Sequence, residues 1–319
     1  MQENIKNIQE QSTQTNSQIE AETPKKKKVS FSQYSMWLKC PYQWKLNYVD
    51  NLRKTDFNLS IFFGTAMHHA LQTYIETFYT KGIEHADELD VLKLFIDKLH
   101  EELEKEKEKF KADPEELKSF IEDGKNIIKA VLSTGNRMRY FPISKYEFVG
   151  IEVPLDMEIL NNVKFIAFLD LVLKDKETGK YKIFDFKTSA VGWNSYMKED
   201  ESKYSQILLY KAFYSKKFNV NLEDIEVEFF ILKRSLYENV SFPQSRIQTF
   251  TPTNTKKAIA ESLDGFIKFV TECFTTEGEF NMNAAYPKIP GKGKKNCKYC
   301  AHYKESCDGK ADKIEQEIL

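Results

Sequence analysis

Hydrophobic and polar positions repeat with two different periods along the chain, and the change of period separates helical from sheet-forming regions. Apolar residues spaced for one helix face predict helices, whereas alternating or continuous runs rich in Val, Ile and Phe predict strands. The predicted helices cover about 32–40, 64–79, 87–110, 114–135, 204–218 and 255–274. The predicted strands cover 147–159, 164–173, 181–187, 225–232 and 247–250.

This order of elements predicts an α/β domain over residues 29–312, with a helical insertion at about 85–140. Residues 1–28 are rich in Gln, Asn, Glu, Ser and Thr and offer almost nothing to bury, so we expect a disordered tail. The tail ends in a proline and four lysines at 24–28, which resemble a nuclear-import patch. We favour a solvated linker that loosely attracts phosphate.

The composition says more about the cellular location of the protein than about the molecules that it binds. The 47 Lys and Arg residues nearly balance the 48 Asp and Glu residues, so net charge does not indicate nucleic acid. No apolar run approaches the roughly 20 residues of a membrane-spanning helix, and the N-terminus lacks an apolar signal segment. The five cysteines include a Cys-x-x-Cys pair, which argues against a secreted disulfide framework. We expect a cytoplasmic protein of a cell or a phage, with no membrane partner.

Two of the predicted strands are joined by a short polar turn and should form an antiparallel hairpin. The register that pairs Lys176 with Gly179 places Asp170 opposite Asp185. Alternation puts Lys187 on the same face as Asp185, while a shift by one residue would separate the two carboxylates.

Asp170 interrupts an otherwise apolar strand, where a carboxylate is costly unless it is paired or binds a cation. One interpretation is a salt bridge between Asp170 and Lys187 on an exposed sheet face. In the other, Asp170 and Asp185 hold Mg²⁺ or Mn²⁺ against a phosphate, and Lys187 orients the attacking water and stabilises the developing charge.

A series of short motifs favours the second interpretation. In order, the chain contains Gly64-x-x-x-His68, Phe168-Leu-Asp170, Asp185-Phe-Lys-Thr188 and Gln206-x-x-x-Tyr210. This series resembles the RecB-like branch of the PD-(D/E)XK nucleases. The chain also contains Cys40-Pro41 near the start and Cys297-x2-Cys300-x6-Cys307 near the end. Together with these cysteines, the series is similar to the cluster-bearing exonucleases, namely the small CRISPR-adaptation nuclease family and the nuclease module of AddB-type helicase–nucleases. The resemblance spans about 30–310 without the insertion.

The resemblance implies a restriction-endonuclease-like mixed sheet flanked by helices, and a metal-dependent exonuclease acting on DNA that is single-stranded or has a free end. The metal ligands that it implies are the side chains of His68, Asp170 and Asp185 and the carbonyl of Phe186. Lys187 would serve the attacking water, and Gln206 and Tyr210 would position the DNA strand and the lysine. The roles it suggests are recombination, repair or replication.

Other functions and simpler structural roles stay open at this point. His68 and His69 could be one packed and one solvated imidazole, and Glu152 an ordinary solvated acid. A catalytically inactive DNA-binding or scaffold module with the same fold is the competing function, although the intact Asp/Asp/Lys set argues against it. The sequence lacks a Gly-x-x-x-x-Gly-Lys-Ser/Thr loop, so any helicase partner would be a separate chain. A helicase or recombinase is a possible partner of this kind.

Three of the five cysteines lie in the region 286–310, at Cys297, Cys300 and Cys307. A two-residue chelate followed by a third thiolate suits zinc and an iron–sulfur cluster equally well by spacing. The resemblance favours a [4Fe–4S] cluster with Cys40 as the distant fourth ligand. Cys273 lies in an apolar helix and is expected to be an inert core thiol.

Overall fold

The computed structural model describes residues 26–54 and 57–311, in which a mixed β-sheet lies between two layers of helices. The strands are β1 (Lys28–Val29), β2 (Tyr146–Glu158), β3 (Lys164–Asp175), β4 (Tyr181–Ser189), β5 (Ile225–Lys233) and β6 (Ile247–Phe250). The helices before the main strands are α1 (Phe31–Lys39), α2 (Pro41–Tyr48), α3 (Leu59–Thr80), α4 (Ile83–Asp87), α5 (Val91–Lys105), α6 (Pro114–Val131) and α7 (Thr134–Tyr140). The later helices are α8 (Ser195–Glu199), α9 (Glu201–Phe218) and α10 (Lys256–Cys273).

The sheet is mixed because one of its connections is a helical crossover. Strands β2, β3 and β4 are antiparallel neighbours. Strand β5 runs parallel to β4 because α8 and α9 carry the chain back along the sheet, and β6 pairs antiparallel to β5. The predicted fold class, a restriction-endonuclease-like mixed sheet flanked by helices, is confirmed.

The hairpin register predicted from the turn is also confirmed. Leu171 pairs with Phe184, and Lys174 pairs with Tyr181. The turn between β3 and β4 is closed by Asp175, whose side chain accepts a hydrogen bond from the backbone N–H of Thr178 at 2.8 Å.

Each face of the sheet has its own hydrophobic core. The first core, which we call the C-terminal core, packs α1, α2, α9 and α10 on one face around aromatic residues such as Tyr34, Trp44 and Phe266. The second, the helical core, packs α3 to α7 on the other face and contains Phe63, Phe95 and further buried phenylalanines. Each fully buried phenylalanine contributes on the order of 2 kcal/mol. The helices expected as an insertion at 85–140 therefore supply most of one layer.

Several element boundaries differ from the sequence prediction because capping residues set them. Helix α3 begins at Leu59, where the side chain of Asn58 accepts a hydrogen bond from Ser60 N at 3.1 Å. The helix predicted at 87–110 is shorter in the structure, where α5 begins after its cap Asp90, and the separate short helix α4 precedes it. Helix α7 has no counterpart in the prediction.

The basic segment at 26–28 belongs to the folded domain rather than to the expected tail. Lys28 lies in β1, which pairs parallel to the start of β3. The Nζ of Lys27 lies 2.9 Å from Glu279, and Lys26 forms an ion pair with Glu158. The expected boundary at residue 28 is thus too late, because strand pairing and ion pairs hold these lysines. Residues 1–25, which make up the rest of the predicted tail, and residue 312 lie outside the described residues.

Gly124 of α6 permits close packing against α5, and this leads to a stability prediction. A Cβ at Gly124 would lie 2.4 Å from the ring of Phe95, which is fully buried. Gly124→Ala should therefore destabilise the protein by about 1–2 kcal/mol, although alanine favours helix by about 1 kcal/mol. The matched control is Gly135→Ala in α7, where a Cβ meets nothing within 4 Å and a small gain is expected. Urea unfolding of both variants checks this, and equal stabilities would contradict it.

Candidate active site

The candidate site lies where β3 and β4 diverge, a place that we call the fork. The ladder between the two strands ends at the pair Leu171 and Phe184. Further along β3, strand β1 pairs with Lys164 and Phe165, while β2 occupies the other edge. Residues 166–170 of β3 therefore have no partner on the β4 side among the described strands, and the fork opens beside them.

Asp170 lies at an irregular point of β3. Leu169 packs in the C-terminal core and Leu171 in the helical core, although residues two apart in a regular strand share one face. Because the side chains change sides here, the Asp170 carboxylate reaches across to β4. Its Oδ2 accepts a hydrogen bond from the backbone N–H of Phe186 at 2.6 Å. The irregularity places a carboxylate at the fork.

Asp185 of β4 supplies the second carboxylate, and it is only 3% exposed. The Nζ of Lys187 lies 2.7 Å from its Oδ2, but that buried oxygen accepts no hydrogen bond of good geometry within the described chain. Burial raises the pKa of Asp185 to about 6, the charge of Asp170 adds to this effect, and Lys187 opposes it. A buried, incompletely satisfied carboxylate favours a bound cation or a proton.

His68 reaches the fork from α3. Gly64, one helical turn earlier, lets α3 approach β4 closely, because a Cβ there would lie 3.3 Å from the Oγ1 of Thr188. The Nδ1 of His68 lies 3.5 Å from Asp170 Oδ1. Burial alone would lower the pKa of His68, but the charge and hydrogen bond of Asp170 outweigh burial and raise it. The pKa of Asp170 is in turn lowered, because His68, Lys187 and the Phe186 N–H together outweigh its burial.

Gln206 and Tyr210 lie on one face of α9, where the Gln206 amide donates a hydrogen bond to the Tyr210 hydroxyl at 2.7 Å. Burial raises the pKa of Tyr210, and so does the negative charge of Asp185 and of the other carboxylates nearby. The Tyr210 hydroxyl therefore stays protonated and available as a donor. Gln206 and Lys187 line the same cleft.

Gln72 and Glu152 also belong to the site, although the sequence interpretation missed the first and treated the second as solvated. The Gln72 amide donates to Glu152 Oε1 at 2.6 Å and to the carbonyl of Asp170 at 3.2 Å. Glu152 lies level with Asp170 on β2, with φ at 47°, a value uncommon for residues other than glycine. The spacing of Gln72 from His68, one turn along α3, is the signal that could have identified it.

The two carboxylates at the fork suit a hard divalent cation such as Mg²⁺ or Mn²⁺, because such cations prefer oxygen ligands. The imidazole of His68 is a softer donor, which is more usual for transition metals and therefore fits Mn²⁺ better than Mg²⁺. In the structure, the His68 ring lies beside Asp170 and the Lys187 ammonium beside Asp185. Phe186 contacts Asp170 through its N–H, whereas its carbonyl is the implied ligand. In the described part of the chain, no three His, Cys, Asp or Glu side chains are already gathered in a metal-binding geometry. Metal binding would therefore require small side-chain adjustments.

The four cysteines expected to form a cluster line one cavity of about 20 Å³. Cys40 lies in the extended link between α1 and α2, and the others follow in successive turns at Cys297, Cys300 and Cys307. Backbone N–H groups point at two of the sulfurs: Ile289 N lies 3.5 Å from Cys40 Sγ, and Gly309 N lies 3.4 Å from Cys307 Sγ. Such N–H groups stabilise sulfur ligands that carry negative charge.

The cavity also contains a buried histidine, and the pKa of two of its thiols is raised. His302 lines it, is buried, and has no hydrogen-bond partner for either ring nitrogen within the described residues. Burial raises the pKa of Cys297 and Cys300, and the neighbouring thiols add to the effect. The sequence interpretation missed His302. The remaining cysteine, Cys273, is fully buried in the C-terminal core, away from this cavity.

Comparison with known proteins agrees with this geometry. The family model for the PD-(D/E)XK nuclease superfamily matches residues 28–308, a range that includes the whole sheet, the fork and all five cysteines. A search of curated proteins found no match. Within the described residues, no helix has the length and apolar character required to cross a membrane. The match covers most of the chain, and the chain therefore belongs to the PD-(D/E)XK nuclease superfamily.

Proposed function

We propose that this protein is a metal-dependent deoxyribonuclease that removes nucleotides from DNA ends. The observation that carries the proposal is the fork itself, where Asp170, Asp185 and Lys187 meet with His68 beside a cleft open to solvent. A salt bridge with a purely structural role gives no reason to bury a carboxylate oxygen without a well-formed hydrogen bond, and Asp185 Oδ2 is such an oxygen.

The metal site in this proposal consists of Asp170, Asp185 and His68, with the carbonyl of Phe186 as a further ligand. When bound, Mg²⁺ or Mn²⁺ would polarise the phosphate and make water a stronger nucleophile. Lys187, whose ammonium lies 2.7 Å from Asp185, also lines the cleft. There it orients the attacking water and stabilises negative charge that develops on the phosphate.

Gln206 and Tyr210 position the substrate strand and Lys187 in this proposal. Their mutual hydrogen bond fixes the Gln206 side chain at the cleft wall. Because the pKa of Tyr210 is raised, its hydroxyl remains a neutral donor beside the carboxylates. Gln72 donates hydrogen bonds to Glu152 and to the backbone carbonyl of Asp170, and so helps to hold Asp170 in place.

We further propose that Cys40, Cys297, Cys300 and Cys307 bind a [4Fe–4S] cluster, with structural Zn²⁺ as the alternative. The shared cavity, the N–H groups aimed at sulfur and the unpartnered imidazole of His302 support a bound centre. Such a centre would link the α1–α2 junction to the C-terminal turns, and its role would be structural.

Nuclease activity is tested with end-labelled single-stranded DNA in Mg²⁺, in Mn²⁺ and in a chelator. We expect degradation only with a divalent cation, and arrest when the attacked end is chemically blocked. Lys187→Ala should abolish it, whereas Lys182→Ala should retain it. Lys182 lies on the same strand but pairs with Glu228 away from the fork. Cation-independent cleavage, or full activity of Lys187→Ala, would overturn the proposal.

A further inference from the structure

Two clefts beyond the fork are continuous, and we call them together the strand groove. The first, about 520 Å³, begins at Lys187 and Gln206. The second, about 490 Å³, extends to Tyr196 and Tyr299 near the cysteine cavity. The walls of both clefts share Lys39, Gln43 and Ser202. The groove thus leads from the fork, past the α1–α2 junction, to the C-terminal turns.

The far end of the groove carries two large aromatic side chains that the cores do not use. Tyr299 is 78% exposed and Tyr196 is 62% exposed. Each has a lysine beside its ring: Lys295 Nζ lies 5.5 Å from the centre of the Tyr196 ring, and Lys298 Nζ lies 5.0 Å from that of Tyr299. Exposed aromatic faces paired with cations are what single-stranded nucleic acid binds, because bases stack on the rings and phosphates approach the cations.

The nearer part of the groove carries two lysines that form no ion pair within the described residues. Lys39 and Lys203 line the first cleft, and neither forms an ion pair with any residue in the described part of the chain. Lys203 lies over the ring of Trp193, which forms part of the cleft wall, at 6.0 Å from its centre. These ammonium groups are available to phosphates.

Two acids at the start of α9 also line the second cleft. Asp200 is occupied as a helix cap, because it accepts hydrogen bonds from the N–H of Ser202 at 3.0 Å and from its hydroxyl at 2.6 Å. Glu201 is the other acid. Lysines therefore dominate the groove, and the acids are grouped at one helix start.

We infer that the strand groove binds single-stranded DNA on its way to the fork, with bases stacked on Tyr196 and Tyr299 and phosphates beside Lys39 and Lys203. The inference rests on the proposed nuclease function and assigns its substrate class. Unpaired bases are required because the bases of a duplex are already stacked on one another and cannot offer their faces to tyrosine. Duplex DNA would contact only the lysines, which bind phosphates whether or not the bases are paired.

Binding without cleavage is the direct test. The full-length protein is titrated, in chelator, against a fluorescent single strand of about 16 nucleotides, a length typical of such sites. The double variant Tyr196→Ala/Tyr299→Ala should bind about 25-fold more weakly or worse, taking roughly fivefold for each lost stacking contact. Phenylalanine at both positions should restore binding, because it keeps the stacking face. Binding of a blunt duplex should not change.

Tyr237→Ala is the matched control, since Tyr237 is 59% exposed and lies outside the groove. It should bind as the wild type does. Unchanged single-strand binding by the double variant would overturn the groove assignment, and so would an equal loss in Tyr237→Ala.

Cleavage assays distinguish a failure of this inference from a failure of the proposed nuclease function. The double variant should show a raised KM for the single strand with kcat unchanged, and an unchanged rate on a small thymidine phosphodiester that reaches only the fork. A wild type that cleaves neither substrate would end the nuclease proposal, while the binding titration would still decide the groove. A wild type that cleaves both, with the same KM in the double variant, would overturn the groove alone.

Discussion

Asp185→Asn is expected to reduce DNA cleavage by more than about 100-fold, because even residues that stand behind metal ligands cost about 10- to 100-fold when removed. Asparagine preserves the shape of the side chain but removes the charge that a cation needs. The fold should survive, since Asp185 accepts no hydrogen bond of good geometry from the described residues through its buried oxygen. Single-stranded DNA binding in chelator should also survive, because the strand groove does not use this carboxylate.

The same substitution should make the metal-free protein more stable at neutral pH. The pKa of Asp185 is about 6 in the folded protein, against an ordinary value of 3.8. Since the folded-state pKa is the higher one, the folded state holds the proton more tightly. Stability therefore falls as the pH rises from 3.8 to about 6, and the full cost of ionisation remains above that range. That difference corresponds to about 3 kcal/mol at most. Asp185→Asn removes this cost, so its advantage should be full at pH 8 and fade as the pH falls towards 4.

Denaturant unfolding of the chelated proteins at several pH values measures this gain, and single-strand digestion measures the loss. Asp264→Asn is the matched control, because Asp264 is an exposed carboxylate on α10. It should change neither quantity. A metal-free Asp185→Asn protein less stable than the wild type at pH 8 would contradict the electrostatic account. Retained cleavage would contradict the assignment of the site.

The register of the hairpin was predictable because it follows from periodicity and from one turn, although the strands diverge just before Asp170 and Asp185 would pair. A short polar turn fixes the register of a hairpin, so the opposition of β3 and β4 was accessible from sequence and is confirmed by the pair Leu171 and Phe184. The helical spacing of Gln206 and Tyr210 likewise placed them on one face, where they are hydrogen-bonded.

The shape of the fork was not predictable in the same way. The change of sides between Leu169 and Leu171 breaks the two-residue period on which strand prediction relies. The left-handed backbone of Glu152 lies beside it on β2, and no residue type there signals it. Local propensity encodes neither irregularity, because strand geometry is set largely by packing against neighbours.

The sequence interpretation also missed contacts between segments that are distant along the chain. The sequence interpretation identified the cysteines, but the burial of His302 depends on how the C-terminal turns meet α1 and α2. The helices predicted as an insertion were located approximately, yet their role as one whole layer was not. Strands β4 and β5 carry apolar side chains on both faces of the sheet, so helices must cover each face.

Cys297→Ser is expected to abolish the proposed cluster and lower stability by several kcal/mol. The cavity brings residues from both ends of the described chain together, and binding free energy at such a site is folding free energy, on the order of 10 kcal/mol for structural metals. Anaerobically purified wild type should be brown, with broad absorption near about 400 nm and roughly four irons and four sulfides per chain. Cys297→Ser should be pale and unfold at lower denaturant concentration.

Two variants show whether the loss is specific to the cluster. Cys273→Ala removes the fifth thiol, which is buried in the C-terminal core, and should cost only about 1 kcal/mol while the colour remains. Asp185→Asn should also stay brown, because the fork and the cavity are separate sites. Colourless wild type that carries about one zinc would replace the cluster with a structural zinc site. If the wild type contains neither iron nor zinc and is no more stable than Cys297→Ser, the proposal of a metal centre at these cysteines is wrong. The raised pKa of Cys297 and Cys300 would then simply mark protonated, unreactive thiols.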